Sequence, residues 1–452
     1  METRITAHFF GRRDGMKKWA KRVLAMAGVF AMAISLTGGN VFADEADDKV
    51  ITFWNIGTAE TDAKMIELAI EEFNATTESG YTIESVATVN DKYKEKLVIA
   101  MSSGECPDMY VTWTGGPMIE YINAGYSVPI DEQYEKYGLN ERIMDAATAQ
   151  GTYDGHIYAV GTSNISVAGV YYNKEMFEKY GLSVPTTVSE LETACDTFVE
   201  NGIVPFALAN ASKWTGSMYY QLLVARYAGL DSFQAAATGE GSWEDECFTY
   251  AGEKIQEWVE KGYFPDGFNS MDEDNSVSEA MFVKEEAAMY LIGSWETPYF
   301  EIRSNEAGTD FYTKVGWFNF PAVDGKEDVD PSIMCGTIGD MFVNFNCSGE
   351  KLDAAVEFAS CFSRENVVDQ MVELGFICPV KGIEEKITDS ISQDILSACN
   401  EASAVQLWWD QYLAPEVANA HLDSSQEVFA LTMTPEEANA AVQKASDNYL
   451  GK

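Results

Sequence analysis

From residue 50 onward the chain alternates short apolar segments with amphipathic ones, and this alternation constrains its fold more than any other feature. Residues 50–54, Val-Ile-Thr-Phe-Trp, read as a buried strand. A turn follows, then apolar residues at 65, 66, 69, 70 and 73, which is helical spacing. Residues 81–89 predict a second strand, 93–101 a second helix and 107–111 a third strand. The pattern returns with a strand over 169–172, helices over 174–180 and 188–201, and a strand over 204–208. Strand–helix alternation of this kind predicts α/β architecture built on a parallel sheet. A chain of 452 residues is long enough for two such units. No internal repeat or low-complexity linker divides it, so two lobes would be joined by several crossings rather than by one tether.

In open α/β sheets ligands gather at the carboxyl ends of strands. The loops after Trp54, Val111 and Leu208 are therefore the candidate ligand loops. They carry Thr58 and Glu60, then Thr112, Trp113 and Thr114, then Lys213 and Trp214, the last read as loop-like within Ser-Lys-Trp-Thr-Gly-Ser. Trp295 follows the apolar strand expected over 287–292. Trp408, Trp409 and Asp410 form a helical segment whose two adjacent indoles cannot both face one core. Indoles on loops beside carboxylates and amides suit sugars, because the C–H face of a pyranose stacks on the ring while its hydroxyls need polar partners. Core packing is the competing reading for the remaining aromatics.

The N-terminus reads as an export signal. Lys17, Lys18, Lys21 and Arg22 precede an apolar run over 23–36, shorter than the roughly 20 residues that span a bilayer. Val41-Phe42-Ala43 fits a cleavage site, so residues 1–43 are expected to be removed, and Met16 is an alternative start. Gly39 stands where a lipoprotein would carry its lipidated cysteine. The formal net charge of −42 argues against nucleic acid and anionic lipid as partners. None of the eight cysteines forms a CxxC pair, and free buried thiols are expected in preference to disulfides or a metal. Neither His156 nor His421 sits in a context that predicts a catalytic base. The acidic run Asp272-Glu273-Asp274 lacks a calcium-loop pattern and reads as a solvated loop.

Five dispersed motifs, in order, give the chain a resemblance to a known family. They are Ser-Ser-Gly-Glu-Cys-Pro-Asp at 102–108, Asp-Gly-His-Ile-Tyr-Ala-Val at 154–160 and Tyr-Tyr-Asn-Lys-Glu-Met-Phe at 171–177. The fourth is Met281-Phe282 through Lys284-Glu285-Glu286-Ala287-Ala288-Met289 to Gly293-Ser294-Trp295, and the fifth is Thr434-Pro435-Glu436-Glu437-Ala438. Together they resemble the extracellular solute-binding proteins of carbohydrate ABC transporters, the group that includes maltose-binding protein. The C-terminal third is most similar to raffinose-type and multiple-sugar binders. The resemblance implies a two-lobed periplasmic-binding-protein fold of type II. It implies lobes at 44–164 plus 321–378 and 166–320 plus 380–452, with crossings near 164–166, 319–321 and 378–381. It implies a ligand site drawn from Glu60, Trp113, Thr114, Trp214, Trp295, Trp408, Trp409 and Asp410, with Gly336, Thr337 and Asp340 in a glycine-rich loop whose backbone approaches the ligand. The implied activity is capture of an oligosaccharide by hinge closure and delivery to permease subunits, by a monomer, without catalysis, cofactor or metal. A glycoside hydrolase and a binder of another solute, such as a polyamine, are the alternatives.

Overall fold

The computed structural model describes residues 49–452. The expected export signal, its cleavage point and Gly39 lie outside the described residues. The strands are β1 Val50–Asn55, β2 Thr82–Ala87 and β3 Met109–Thr112, then the hairpin β4 Thr152–Tyr153 and β5 His156–Ile157, and β6 Ala159–Thr162. β7 Ser166–Asn173, β8 Val204–Ala207, β9 Ala287–Gly293 and β10 Val315–Phe318 follow. β11 Met334–Thr337, β12 Met341–Phe345 and β13 Val405–Gln406 complete the set. They assemble into two large sheets, with the β4–β5 hairpin a two-stranded sheet of its own. The first has the order β2-β1-β3-β12-β6, and the second β13-β11-β7-β9-β8 with β10 also paired to β7.

The expected βα alternation is present, but the sheets are mixed rather than parallel. β1 pairs parallel with both β2 and β3, whereas β12 runs antiparallel to β3 and to β6. β7 is antiparallel to β9, β10 and β11. The reason is connectivity. A strand that enters a sheet after a visit to the other one need not follow a right-handed helical crossover, so its direction is free to reverse.

Each sheet is covered by helices whose apolar faces the periodicity anticipates. The helix Glu60–Thr76 buries Met65, Ile66, Ala69 and Phe73. The Phe358 ring, from the helix Gly349–Cys361, meets both Phe73 and Phe53 edge to face, which clamps two helices onto β1. In the motif at 171–177, Asn173 ends β7 and its side chain accepts the Met176 N–H at 3.0 Å, starting the helix Lys174–Lys179. Thr434 and Glu437 form a reciprocal capping box on the last helix, Pro435–Leu450.

The chain passes from the first sheet to the second between β6 and β7, at residues 163–165. It does not return near 319–321. β11 still pairs with β7 in the second sheet, so the return comes at 338–340, between β11 and β12. The 319–321 segment instead stays beside the second sheet, where Ala322 bridges Thr187. Residues 376–380 run alongside the first passage. The Ile165 N–H donates to the Ile377 carbonyl at 2.7 Å, and the Ile377 N–H to the Asn164 side chain at 2.6 Å. Asn164 also donates to the Ser294 carbonyl at 3.1 Å, and the Ser294 hydroxyl accepts the Val167 N–H at 3.0 Å. The passages are thus knitted by buried amide and hydroxyl groups whose partners are satisfied in place.

All eight cysteines are unpaired, five of them buried. No helix of the described residues is long and apolar enough to cross a membrane.

Candidate ligand cleft

A cavity of about 230 Å³ lies between the two sheets, and residues from both sides and from the passages line it. Six of the sequence-predicted site residues are brought together there: Trp113, Trp214, Trp295, Asp340, Trp408 and Asp410. Trp214, Trp295 and Trp408 form a chain of edge-to-face contacts, with centroids 6.0 and 5.9 Å apart. Such geometry places ring edges against neighbouring faces and fixes the indoles without a ligand. Trp113 packs edge to face on Tyr93 at 6.2 Å, and the Lys94 ammonium sits 4.8 Å above its indole. Trp214 is not on a loop. It is the first residue of the helix Trp214–Ala228, preceded by Lys213 in a left-handed conformation (φ 66°).

Five predicted residues do not line the cavity. Glu60 is exposed at the start of its helix, and Asp62, two residues further on, is the carboxylate that reaches the cleft. Thr114 is buried behind Trp113, and its hydroxyl has no partner. Gly336 and Thr337 belong to β11 and pair with Val167 and Ser166. A Cβ at Gly336 would meet the Ser166 carbonyl at 2.1 Å, so that close approach is between strands rather than to a ligand. Trp409 is a core residue. Its ring stacks on Phe233 with centroids 4.5 Å apart and meets Trp243 and His421 edge on. The two adjacent indoles do point to different places, Trp408 to the cleft and Trp409 to the core.

Several lining residues escaped the sequence reading. Glu296, Tyr299 and Arg303 follow Trp295 at helical spacing, the last two on the helix Thr297–Ala307. Continuing that period past Trp295 would have found them. Ser163, Asn164 and Ser166 come from the first passage, and Gln411 follows Asp410. Asp62 and Tyr299 join opposite sides of the cleft, with the phenol donating to the carboxylate at 2.8 Å.

The cleft is acidic. Burial pushes the Asp62 carboxyl up to about 6 despite the Tyr299 hydrogen bond. A first-turn carboxylate normally gains from the helix dipole, so desolvation outweighs that gain here. Burial, aided by the charge on Asp62, holds Asp340 at about 7. Glu296 lies well above the usual carboxylate range, first through burial and then through Glu279, Glu273 and Asp62. Burial also raises Asp410. Glu273 is not in a solvated loop as expected. It is buried, accepts the Tyr290 phenol at 2.5 Å, and is raised to about 7 by that burial. Its neighbours Asp272 and Asp274 stand beside Asp91, contributed by the helix Asn90–Ser103, with oxygens within 4.8 Å of one another. Polar atoms without a protein partner surround the cavity: Ser166 Oγ, Trp214 Nε1, Glu296 Oε2 and Gln411 Oε1. Groups of this kind are costly to bury unless something else bonds them.

The only described His–Ser contact of catalytic type pairs Ser217 Oγ with His421 Nε2 at 2.8 Å, and both residues are sealed in the core. His156, on an exposed hairpin, pairs with Asp131.

Residues 55–365 match the sequence profile of the bacterial extracellular solute-binding protein family. The chain belongs to that family. Among the family's relatives, an uncharacterized ABC transporter extracellular-binding protein, PH1214 of Pyrococcus horikoshii, is 27% identical over 220 residues, 48% of this chain and 49% of that one. The chain thus spans about half the length of that solute-binding relative. The multiple sugar-binding protein of Streptococcus mutans is 23% identical over 379 residues, covering 81% of this chain and 84% of that one. A solved structure from work on xylan utilization by Caldanaerobius polysaccharolyticus superimposes with a TM-score of 0.78 at 28% identity. It covers 87% of this chain and 99% of its own. That solved structure shares the fold of this chain, whose cavity lies between its two sheets.

Proposed function

We propose that this solute-binding protein captures an oligosaccharide between its lobes by hinge closure and hands it to the permease of an ABC importer. The observation that carries this reading is the run of three tryptophans, Trp214, Trp295 and Trp408, which line one cavity together with Trp113 and unpaired polar groups. Stacking area and unmet hydrogen bonds together match the two faces of a sugar ring. The names of relatives, one of them a multiple sugar-binding protein, support the same ligand class. The lobes would meet at 163–165, at 338–340 and beyond residue 380, and those segments would serve as the hinge. The protein would act as a monomer outside the cell, by binding without chemistry.

The test is a calorimetric screen of the mature chain against xylo-, malto-, chito- and raffinose-type oligosaccharides, with product analysis after prolonged incubation. Micromolar or tighter binding of one class with the sugar recovered intact is the expected result. Steady release of shorter sugars would make the protein a hydrolase, and stabilisation by non-sugar solutes alone would remove the carbohydrate reading.

A further inference from the structure

The two cations lining the cleft are both already paired, Arg303 in part with Glu279, which lines the same cavity. The Arg303 Nε donates to Glu279 at 3.0 Å and its Nη1 to Glu306 at 2.9 Å. Lys94 lies over the Trp113 ring and 3.9 Å from Asp91. Asp62, Glu296 and Asp340 line the same cavity from three separate segments and have no cationic partner among the described residues. Their charges act on one another: Asp62 raises both Asp340 and Glu296. One Glu296 oxygen, Oε2, is buried with no hydrogen-bond partner at all.

We infer that the ligand presents protonated amines, more than one along its length, to the separate carboxylates of Asp62, Glu296 and Asp340. The inference rests on the sugar reading only in expecting those amines on a saccharide, that is, an oligomer of amino sugars.

Three physical points favour an organic cation. Like-charged carboxyl groups confined around one cavity either take up protons or gather a counter-charge. A bare metal ion does not fit, because these three do not converge. Among the described residues, the acidic oxygens that come within 4.8 Å of one another belong to Asp91, Asp272 and Asp274. The proton balance also favours the amine. An ammonium set among these carboxyls favours their charged forms and is itself favoured by them, so the proton stays on nitrogen while Asp62 and Asp340, held up at about 6 and about 7 without it, ionise around it. The field of the whole chain acts in the same direction, since a net charge of −42 attracts a cation and opposes an anion.

The experiment compares matched saccharides on the wild-type mature chain at pH 6: glucosamine oligomers, in which the amines are protonated, against their N-acetylated counterparts, with spermidine as a non-sugar amine. Calorimetry in two buffers of different ionisation enthalpy reads affinity and proton release together. The expected result is at least tenfold tighter binding of the glucosamine oligomer, with net release of protons. In the Glu296→Gln, Asp340→Asn double variant that preference falls to within threefold, while quenching of tryptophan fluorescence by the sugar persists. Spermidine binding without any sugar binding upholds the ammonium site and removes the saccharide. Binding of the N-acetylated oligomer alone, equal binding of the two oligomers, or binding of no amine overturns the inference. The wild-type comparison stands even where the double variant fails to fold.

Discussion

Gly293→Ala tests the site through the position of one indole without removing it. Gly293 ends β9, and its backbone is extended (φ −78°, ψ 159°), a conformation that alanine adopts without strain. The obstacle is steric. A Cβ on Gly293 would lie 1.9 Å from Cζ3 of Trp295, with Cε3 at 2.2 Å and Cη2 at 2.4 Å. Carbon–carbon contact is comfortable only at about 3.5 Å, so the indole has to retreat by roughly 1.5 Å. Trp295 holds the centre of the tryptophan chain, so its retreat strains both edge-to-face contacts, each worth about 0.5–1.5 kcal/mol. The cavity beside the ring gives it room, which keeps the folding cost near the low end of the overpacking range of about 1–3 kcal/mol. Binding suffers more, because the stacking surface moves by a distance comparable with the tolerance of an aromatic contact. We expect affinity for the preferred oligosaccharide to fall at least tenfold, about 1.4 kcal/mol, with a thermal midpoint lowered by only a few degrees. Isothermal titration and differential scanning calorimetry on the same samples measure both. An affinity within threefold of wild type, with the protein folded, would refute the placement of Trp295 against the ligand.

Three further outcomes follow from the same geometry. Trp409→Ala should cost about 3–5 kcal/mol of stability, because its ring is stacked on Phe233 in the core, and should leave the affinity of the folded protein nearly unchanged in chemical-denaturation and binding assays; Trp408→Ala, also buried but lining the cavity, should cost stability of the same order and lower affinity as well. Tyr299→Phe deletes the hydrogen bond to Asp62 and should weaken ligand affinity by several-fold, about 1 kcal/mol, with small-angle scattering of the free protein shifted toward an open form. The raised carboxyl of Asp340 binds its proton more tightly when folded than when unfolded. Its contribution to stability is therefore complete below about 4 and is lost as pH rises through about 7. Asp340→Asn should accordingly be more stable than wild type at pH 8, with the advantage shrinking toward pH 4, read from paired thermal melts; an advantage that grows on acidification would contradict the sign.

What could be read along the chain were the features set by neighbours in sequence. The strand of residues 50–54, the helix that buries Met65, Ile66, Ala69 and Phe73, and the strand-to-helix turn capped by Asn173 each depend on period and on local hydrogen bonds, and each is present. The divergence of Trp408 and Trp409 was legible from their adjacency, although the helix begins at Trp409 and Trp408 is its N-cap rather than part of the turn. Which of the two enters the cleft was not. Helical period also held the Glu296, Tyr299 and Arg303 face, which a longer window over the residues after Trp295 would have exposed.

Pairing between distant segments decided the rest. Nothing local in Met-Cys-Gly-Thr at 334–337 says that it joins the second sheet; its partner Val167 is far away in sequence, and the return passage moves to 338–340 as a result. The same holds for the choice of Asp62 over Glu60. Both stand in the first turn of one helix, but only Asp62 meets Tyr299, which arrives from the opposite side of the cleft. The charge on the whole chain was visible in composition. The unpaired state of Asp62, Glu296 and Asp340 was not, because an ion pair is a property of distance in space. The sequence by itself determined the family, the α/β architecture and the aromatic supply. Only the tertiary structure decided which rings and carboxyls share one cavity, since burial and long-range contact set their orientation and their protonation.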